Sequence, residues 1–137
     1  EMQAAILRAR LPRLAAWTTR RRALAARYRL QLVGAPVDVP PECDPGHVYH
    51  LFVVRSAARV ELQAFLAARG IETLIHYPVP ISRQPALADS APAVCPRADR
   101  ACSEVVSLPL SPALRDGDVD DVAAAAAAFE RTHACGH

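Results

Sequence analysis

Apolar positions in the first third of the chain recur at helical spacing. Leu7, Leu11 and Leu14 lie on one side, and Leu24, Tyr28 and Leu32 continue the stripe beyond an arginine cluster. Pro12 interrupts the pattern, so a kink or break is expected near residue 11. Gly34 and Pro36 end the element, and the Pro/Asp/Gly-rich stretch 35–46 reads as a loop. The pattern then changes. Residues 47–55, HVYHLFVVR, are β-branched and aromatic and predict a strand. Ser56 is the expected N-cap of a helix through Ala68, with Leu62, Phe65 and Leu66 as its buried face and Gly70 as its stop. Ile71 to Tyr77 predicts a second strand, after which Pro78, Pro80 and Pro85 impose irregular structure. A helix from about Pro96 to Val105 follows, with Ala98, Ala101, Cys102 and Val105 inward, and then a short strand around Val106 to Leu108. Asp116, Asp118, Asp120 and Asp121 crowd the start of a last helix, where the helix dipole favours negative charge. Its alanine run, Ala123 to Ala128, has high helix propensity and lets a neighbour pack closely.

The order helix, strand, helix, strand, helix, strand, helix gives the α/β class. It implies a long N-terminal helix, then a small, mainly three-stranded sheet with helices packed on it. A chain of 137 residues suits one domain with a real core. No apolar run approaches the roughly 18 to 20 residues that span a bilayer. No signal peptide is visible, and a cytoplasmic protein is expected. The polar start, without methionine or a preceding cap, is read as lying inside a longer protein.

Composition adds one sharp fact. All 16 of the Lys+Arg residues are arginine, so the chain has no side-chain amine able to form a Schiff base. A GC-rich genome would produce the same bias, and the chemical consequence holds whatever its cause. Residues 1–31 carry eight arginines against the single acid Glu1, while the remainder is net acidic. Such a helix could meet phosphate, form a solvated face or pair with acids elsewhere in a larger protein. No aromatic interleaving or groove-reading motif accompanies the charge, which weighs against nucleic acid. Cys43, Cys95, Cys102 and Cys135 form no CxxC pair and read as free thiols. His47 and His50 would point to opposite faces of a strand, which argues against a shared metal. The terminal His133, Cys135 and His137 read as a frayed tail rather than a metal site.

No nucleophile elbow, P-loop, dinucleotide fingerprint or paired-carboxylate spacing is present. The stretch that stands out is Gly70-Ile-Glu-Thr-Leu-Ile-His76-Tyr77-Pro78-Val-Pro80-Ile-Ser-Arg83-Gln84-Pro85. A strand ends there in a His-Tyr pair and enters a proline-stiffened loop, which holds polar groups in place at little entropic cost. The plainer reading makes His76 a satisfied histidine at a strand end and Tyr77 a core ring.

In combination, several segments resemble the DegT/StrS-type sugar-nucleotide aminotransferases, fold-type-I enzymes dependent on pyridoxal 5'-phosphate. They are Glu1-Met-Gln-Ala-Ala-Ile-Leu through Leu14; Trp17 with Arg20-Arg-Arg-Ala-Leu-Ala-Ala-Arg-Tyr28; Val48-Tyr-His-Leu-Phe-Val-Val-Arg55; Ala68-Arg-Gly-Ile-Glu-Thr-Leu-Ile-His-Tyr-Pro-Val-Pro80; Gln84-Pro85-Ala86; and Ser107-Leu-Pro-Leu110. They occur in family order over most of residues 1–122.

The resemblance implies the C-terminal small domain of such an enzyme, with residues 1–31 bridging two domains and 32–137 forming the small α/β domain. The large domain, with the Schiff-base lysine, the aspartate on the pyridine nitrogen and the cofactor, would precede it. The parent would be a homodimer running a ping-pong transamination from an amino acid donor to a nucleotide-linked ketosugar. His76 and Tyr77 would be substrate-binding residues at the edge of the active site, and the chain alone would be inactive. Three positions depart from the family pattern: Ser82 replaces a usual histidine, Leu87 a usual aromatic, and Ser111 an aromatic or histidine. All three bear on which sugar is taken. Two alternatives stand beside this reading. One is the dehydratase branch of the family, in which histidine replaces the lysine; the other is a stand-alone binding module contacting its partner through the basic helix.

Overall fold

The computed structural model describes residues 1–90 and 93–129. The N-terminal helical region divides at the expected place. Helix α1 (Met2–Arg10) passes through a 3-10 turn at Leu11–Arg13 into helix α2 (Leu14–Gln31). Pro12 sits in that turn, where it has no helical hydrogen bond to break. The two helices differ sharply in burial. None of the α1 residues is buried, whereas Leu24, Ala25 and Tyr28 of α2 are fully enclosed.

Strand β1 (Phe52–Arg55) pairs antiparallel with β2 (Val105–Leu108), in register from Phe52 opposite Leu108 to Arg55 opposite Val105. The sheet has two strands where the sequence pattern predicts three. Single bridges extend it on either side, Asp38 with Arg55 and Leu74 with Ser107. The segment Ile71–Tyr77 therefore touches the sheet at one residue and does not form a ladder. The predicted strand 47–55 is likewise shortened to its last four residues. Tyr49 takes φ 50, a left-handed conformation that no strand accommodates. Its N–H is accepted by His47 Nδ1 at 3.0 Å, so local side-chain bonding has replaced the ladder.

Helix α3 (Arg59–Ala67) begins later than expected. Its N-cap is Ala58, and Ser56 instead accepts the Ala58 N–H in the turn before the helix. Leu62 and Leu66 are fully buried, while Phe65 is half-buried with its ring edge-on to Phe129. Gly70 closes the helix at φ +74, as a C-terminal stop requires. Helix α4 (Pro96–Glu104) corrects another expectation, since none of its residues is buried. Ala98 is exposed and Ala101 and Cys102 only half-buried, because this face lines an open groove rather than the core.

Helix α5 (Asp116–Ala127) packs along α2. Ala123 and Ala126 are fully buried against that partner layer, with Ala25 of α2 in the same core. Small side chains on both helices permit the close approach. Asp118 accepts the Arg115 N–H at 2.8 Å and caps the first turn, which holds Asp116 and Asp118 but not the two later acids. Part of the basic stripe of α2 is neutralised here: Arg20 pairs with Asp116 at 2.7 Å, and Arg27 grips Asp120 through two nitrogens. The hydrogen bond from Arg27, then that from Gln31, lowers the Asp120 pKa to about 2. Phe52, stacked on Tyr28 at 4.7 Å between centroids, joins the sheet to α2 and completes a single core.

Candidate functional site

The Leu74 bridge positions the His-Tyr segment. Ser107 N–H donates to Leu74 O at 2.7 Å and Leu74 N–H to Ser107 O at 3.3 Å, fastening the segment to β2. Two residues on, His76 Nδ1 lies 3.0 Å from Ser107 Oγ. The His76 and Tyr77 rings stand edge to face, 5.7 Å apart at 87°, and the peptide between them is cis.

Adjacent in sequence, the two rings serve different surfaces. His76 lines a cavity of ≈ 290 Å³ together with His50, Glu72 and Ser107, whose other walls are Leu51, Leu74, Leu108, Pro109 and Leu110. Tyr77 lines a broader groove of ≈ 530 Å³ with Val79, Pro80, Ile81, Ser82 and the Ala98, Ala101 and Cys102 face of α4. The plainer sequence reading of Tyr77 as a core ring is not met, since it is 71% exposed. That of His76 is half met: Nδ1 has a partner, while Nε2 has none among the described residues.

The core supports the cavity from behind. Tyr28 donates its hydroxyl to the Pro109 carbonyl at 2.9 Å, tying the cavity wall to α2. Burial pushes the Tyr28 phenol well above its ordinary pKa, so it stays a neutral donor. A second polar cluster lies on the far side of Leu51, where Tyr49 donates to Glu42 and accepts from Arg29 Nε at 3.2 Å. Desolvation, and next the bond to Glu42, raises the Tyr49 pKa.

Sequence reasoning missed His50, Glu72 and Ser107 as site residues. One signal was available for Ser107: a hydroxyl inside the apolar run Val105-Val-Ser-Leu108 must find a partner if buried. It is 5% exposed, and that partner is His76. His50 and Glu72 carried no such signal, because their places depend on how the loop and the bridge fold back. The strand expected to carry His47 and His50 on opposite faces does not form at those residues; His47 packs on Tyr49 and His50 lines the cavity. Among the described residues no cluster of His, Cys, Asp or Glu could hold a metal, and Cys43, Cys95 and Cys102 are free. His133, Cys135 and His137 lie outside the described residues. No helix among the described residues is long and apolar enough to cross a membrane.

Similarity to known proteins extends over most of the chain. The dTDP-3-amino-3,4,6-trideoxy-alpha-D-glucose transaminase of Streptomyces venezuelae is 50% identical over 120 residues, covering 83% of this chain and 31% of that protein. The dTDP-3-amino-3,6-dideoxy-alpha-D-galactopyranose transaminase of Aneurinibacillus thermoaerophilus is 41% identical over 123 residues, 89% of this chain and 34% of its own length. Among solved structures, S. venezuelae DesV in complex with a ketimine intermediate superposes with a TM-score of 0.85 at 45% identity, covering 90% of this chain and 34% of that one. The chain thus spans about a third of the length of the relatives it matches. Since the model of the DegT/DnrJ/EryC1/StrS aminotransferase family matches residues 1–127, the chain belongs to that family.

Proposed function

We propose that this chain is the substrate-facing small domain of a pyridoxal-phosphate-dependent transaminase acting on a nucleotide-linked ketosugar. The family match over residues 1–127, with sugar transaminases at 41 to 50% identity, carries the reading. Residues 1–31 bridge to a large domain, residues 32–137 form the small domain, and the whole enzyme is a homodimer. The transaminase relatives favour this reading over the dehydratase branch. The pairing of Arg20 and Arg27 with acids of α5 disfavours a binding module that works through its basic helix.

The residues of this chain do not fit the cofactor itself. Pyridoxal phosphate is held through an imine to a lysine amine in this chemistry, and the sequence has no lysine. What the chain supplies is binding and orientation. The cavity beside His76 is at the small end of ligand pockets, which run from about 300 to 1,000 Å³, and suits a sugar ring more than a whole nucleotide sugar. His76 and Tyr77 orient that sugar by hydrogen bonds and take no covalent step.

Two measurements test this. The full-length protein should transfer an amino group from an amino acid to a dTDP-linked ketosugar, and failure with every nucleotide-linked ketosugar would sink the proposal. The chain alone, mixed with pyridoxal phosphate and treated with borohydride, should show no mass increase from a reduced imine on any side chain.

A further inference from the structure

We propose that Ser107 is a positioning residue that holds His76 in one tautomer, so that its ring presents an N–H donor to a sugar oxygen in the cavity; the sugar part rests on the transaminase reading above. The argument is a count of donors. The Ser107 hydroxyl has one proton to give, and its only hydrogen-bonding partner among the described residues is His76 Nδ1, at 3.0 Å. Were the ring proton on Nδ1, it would donate to Ser107 Oγ and leave the hydroxyl proton with no protein acceptor among the described residues, in a residue only 5% exposed. Buried donors left unpaired are rarer and costlier than lone pairs left unused. The arrangement that uses the hydroxyl proton within the protein has Ser107 O–H donating to Nδ1, which places the proton of the neutral ring on Nε2, facing the cavity.

Ser107 is itself fixed. Its N–H and carbonyl are both bonded to Leu74, and it stands opposite Val53 in the β1–β2 ladder. The hydroxyl is thereby held at one place on the cavity wall. Nε2 is without a partner among the described residues, and the ring lines the cavity. Glu72 lines it too and brings a carboxylate acceptor among apolar walls that include Leu51 and Leu108. His76, Glu72 and His50 are thus polar groups on an otherwise largely apolar wall, which matches a ring carrying few hydroxyls, with a hydroxyl or carbonyl oxygen accepting from Nε2–H.

NMR of the 137-residue chain carrying heavy nitrogen in its histidines reads the tautomer directly. The expected result is a proton on His76 Nε2 and an Nδ1 that accepts a hydrogen bond. Ser107→Ala should move the Nδ1 resonance to its unbonded position, and Ser107→Thr should leave it in place. A proton on Nδ1 in the wild type overturns the assignment, and so does an Nδ1 resonance indifferent to Ser107→Ala. In the full-length transaminase, Ser107→Ala should raise KM for the ketosugar about tenfold, with kcat changed by less than about twofold and Thr restoring the KM. An unchanged KM would remove the role in substrate orientation. A full-length protein without transaminase activity would defeat the functional reading instead, leaving the Ser107–His76 tautomer to be judged by the NMR result alone.

Discussion

Asp120 shows how much a single carboxylate can carry when two donors converge on it. Arg27 binds both its oxygens and Gln31 adds a third hydrogen bond, so its pKa falls to about 2. An unfolded aspartate titrates near 4. Because the folded value is the lower one, the linked stability is fully present above pH ~4 and is lost as pH falls towards ~2. Asp120→Asn should therefore flatten the dependence of Tm on pH between those limits while changing little of its slope at neutral pH. An equally steep acid limb in the variant would mean that other carboxylates carry it. The arginines of α2 were visible in the sequence as an excess of charge, but their partners were not. Arg27 and Asp120 are separated by 93 positions, and only the α2–α5 packing brings them together.

At the scale of elements, helices were more legible than strands. A helix declares itself through a repeat within a few turns and through its ends, as Pro12, Gly70 and the acids before Ala123 do here. Gly70 gives the cleanest check. A Cβ there would meet nothing within 4 Å, so the cost of Gly70→Ala is that of the backbone at φ +74 alone. It should destabilise by about 1–2 kcal/mol in chemical denaturation, and a neutral result would mean that the helix end rearranges. Strands depend on distant partners: of the three predicted, one came out too long and another formed only a single bridge, while Val106–Leu108 formed as expected. The aromatic and β-branched residues at 47–51 bond locally around Tyr49, and Ile71–Tyr77 reaches β2 only through Leu74. The inward face assigned to α4 failed for a related reason. Its small apolar residues match a buried stripe as well as a groove wall, and local pattern does not separate the two.

For the molecule as a whole, the core is built from α2, the sheet, α3 and α5 with the flanking Leu32, Val37, Tyr49 and Phe129, and α1 lies outside it. Leu7, Leu11 and Leu14, which periodicity marks as a buried stripe, are 67%, 66% and 51% exposed. The double change Leu7→Ser with Leu11→Ser should leave stability within about 0.5 kcal/mol, since these side chains touch no core. It should also reduce binding of an apolar dye to the chain. A marked fall in Tm would place α1 inside the cooperative unit.

By itself the sequence determined the helices, the class of fold, the family and the absence of an imine-forming amine, because each is local or compositional. It also singled out His76 and Tyr77. Only the tertiary structure decided that these neighbours serve different surfaces, that Ser107 answers His76, and that His50 and Glu72 join the same cavity. The physical reason is distance along the chain. A hydrogen bond between positions 31 apart leaves no periodic trace, and it exists only because one bridge, Leu74 with Ser107, closes the loop between them.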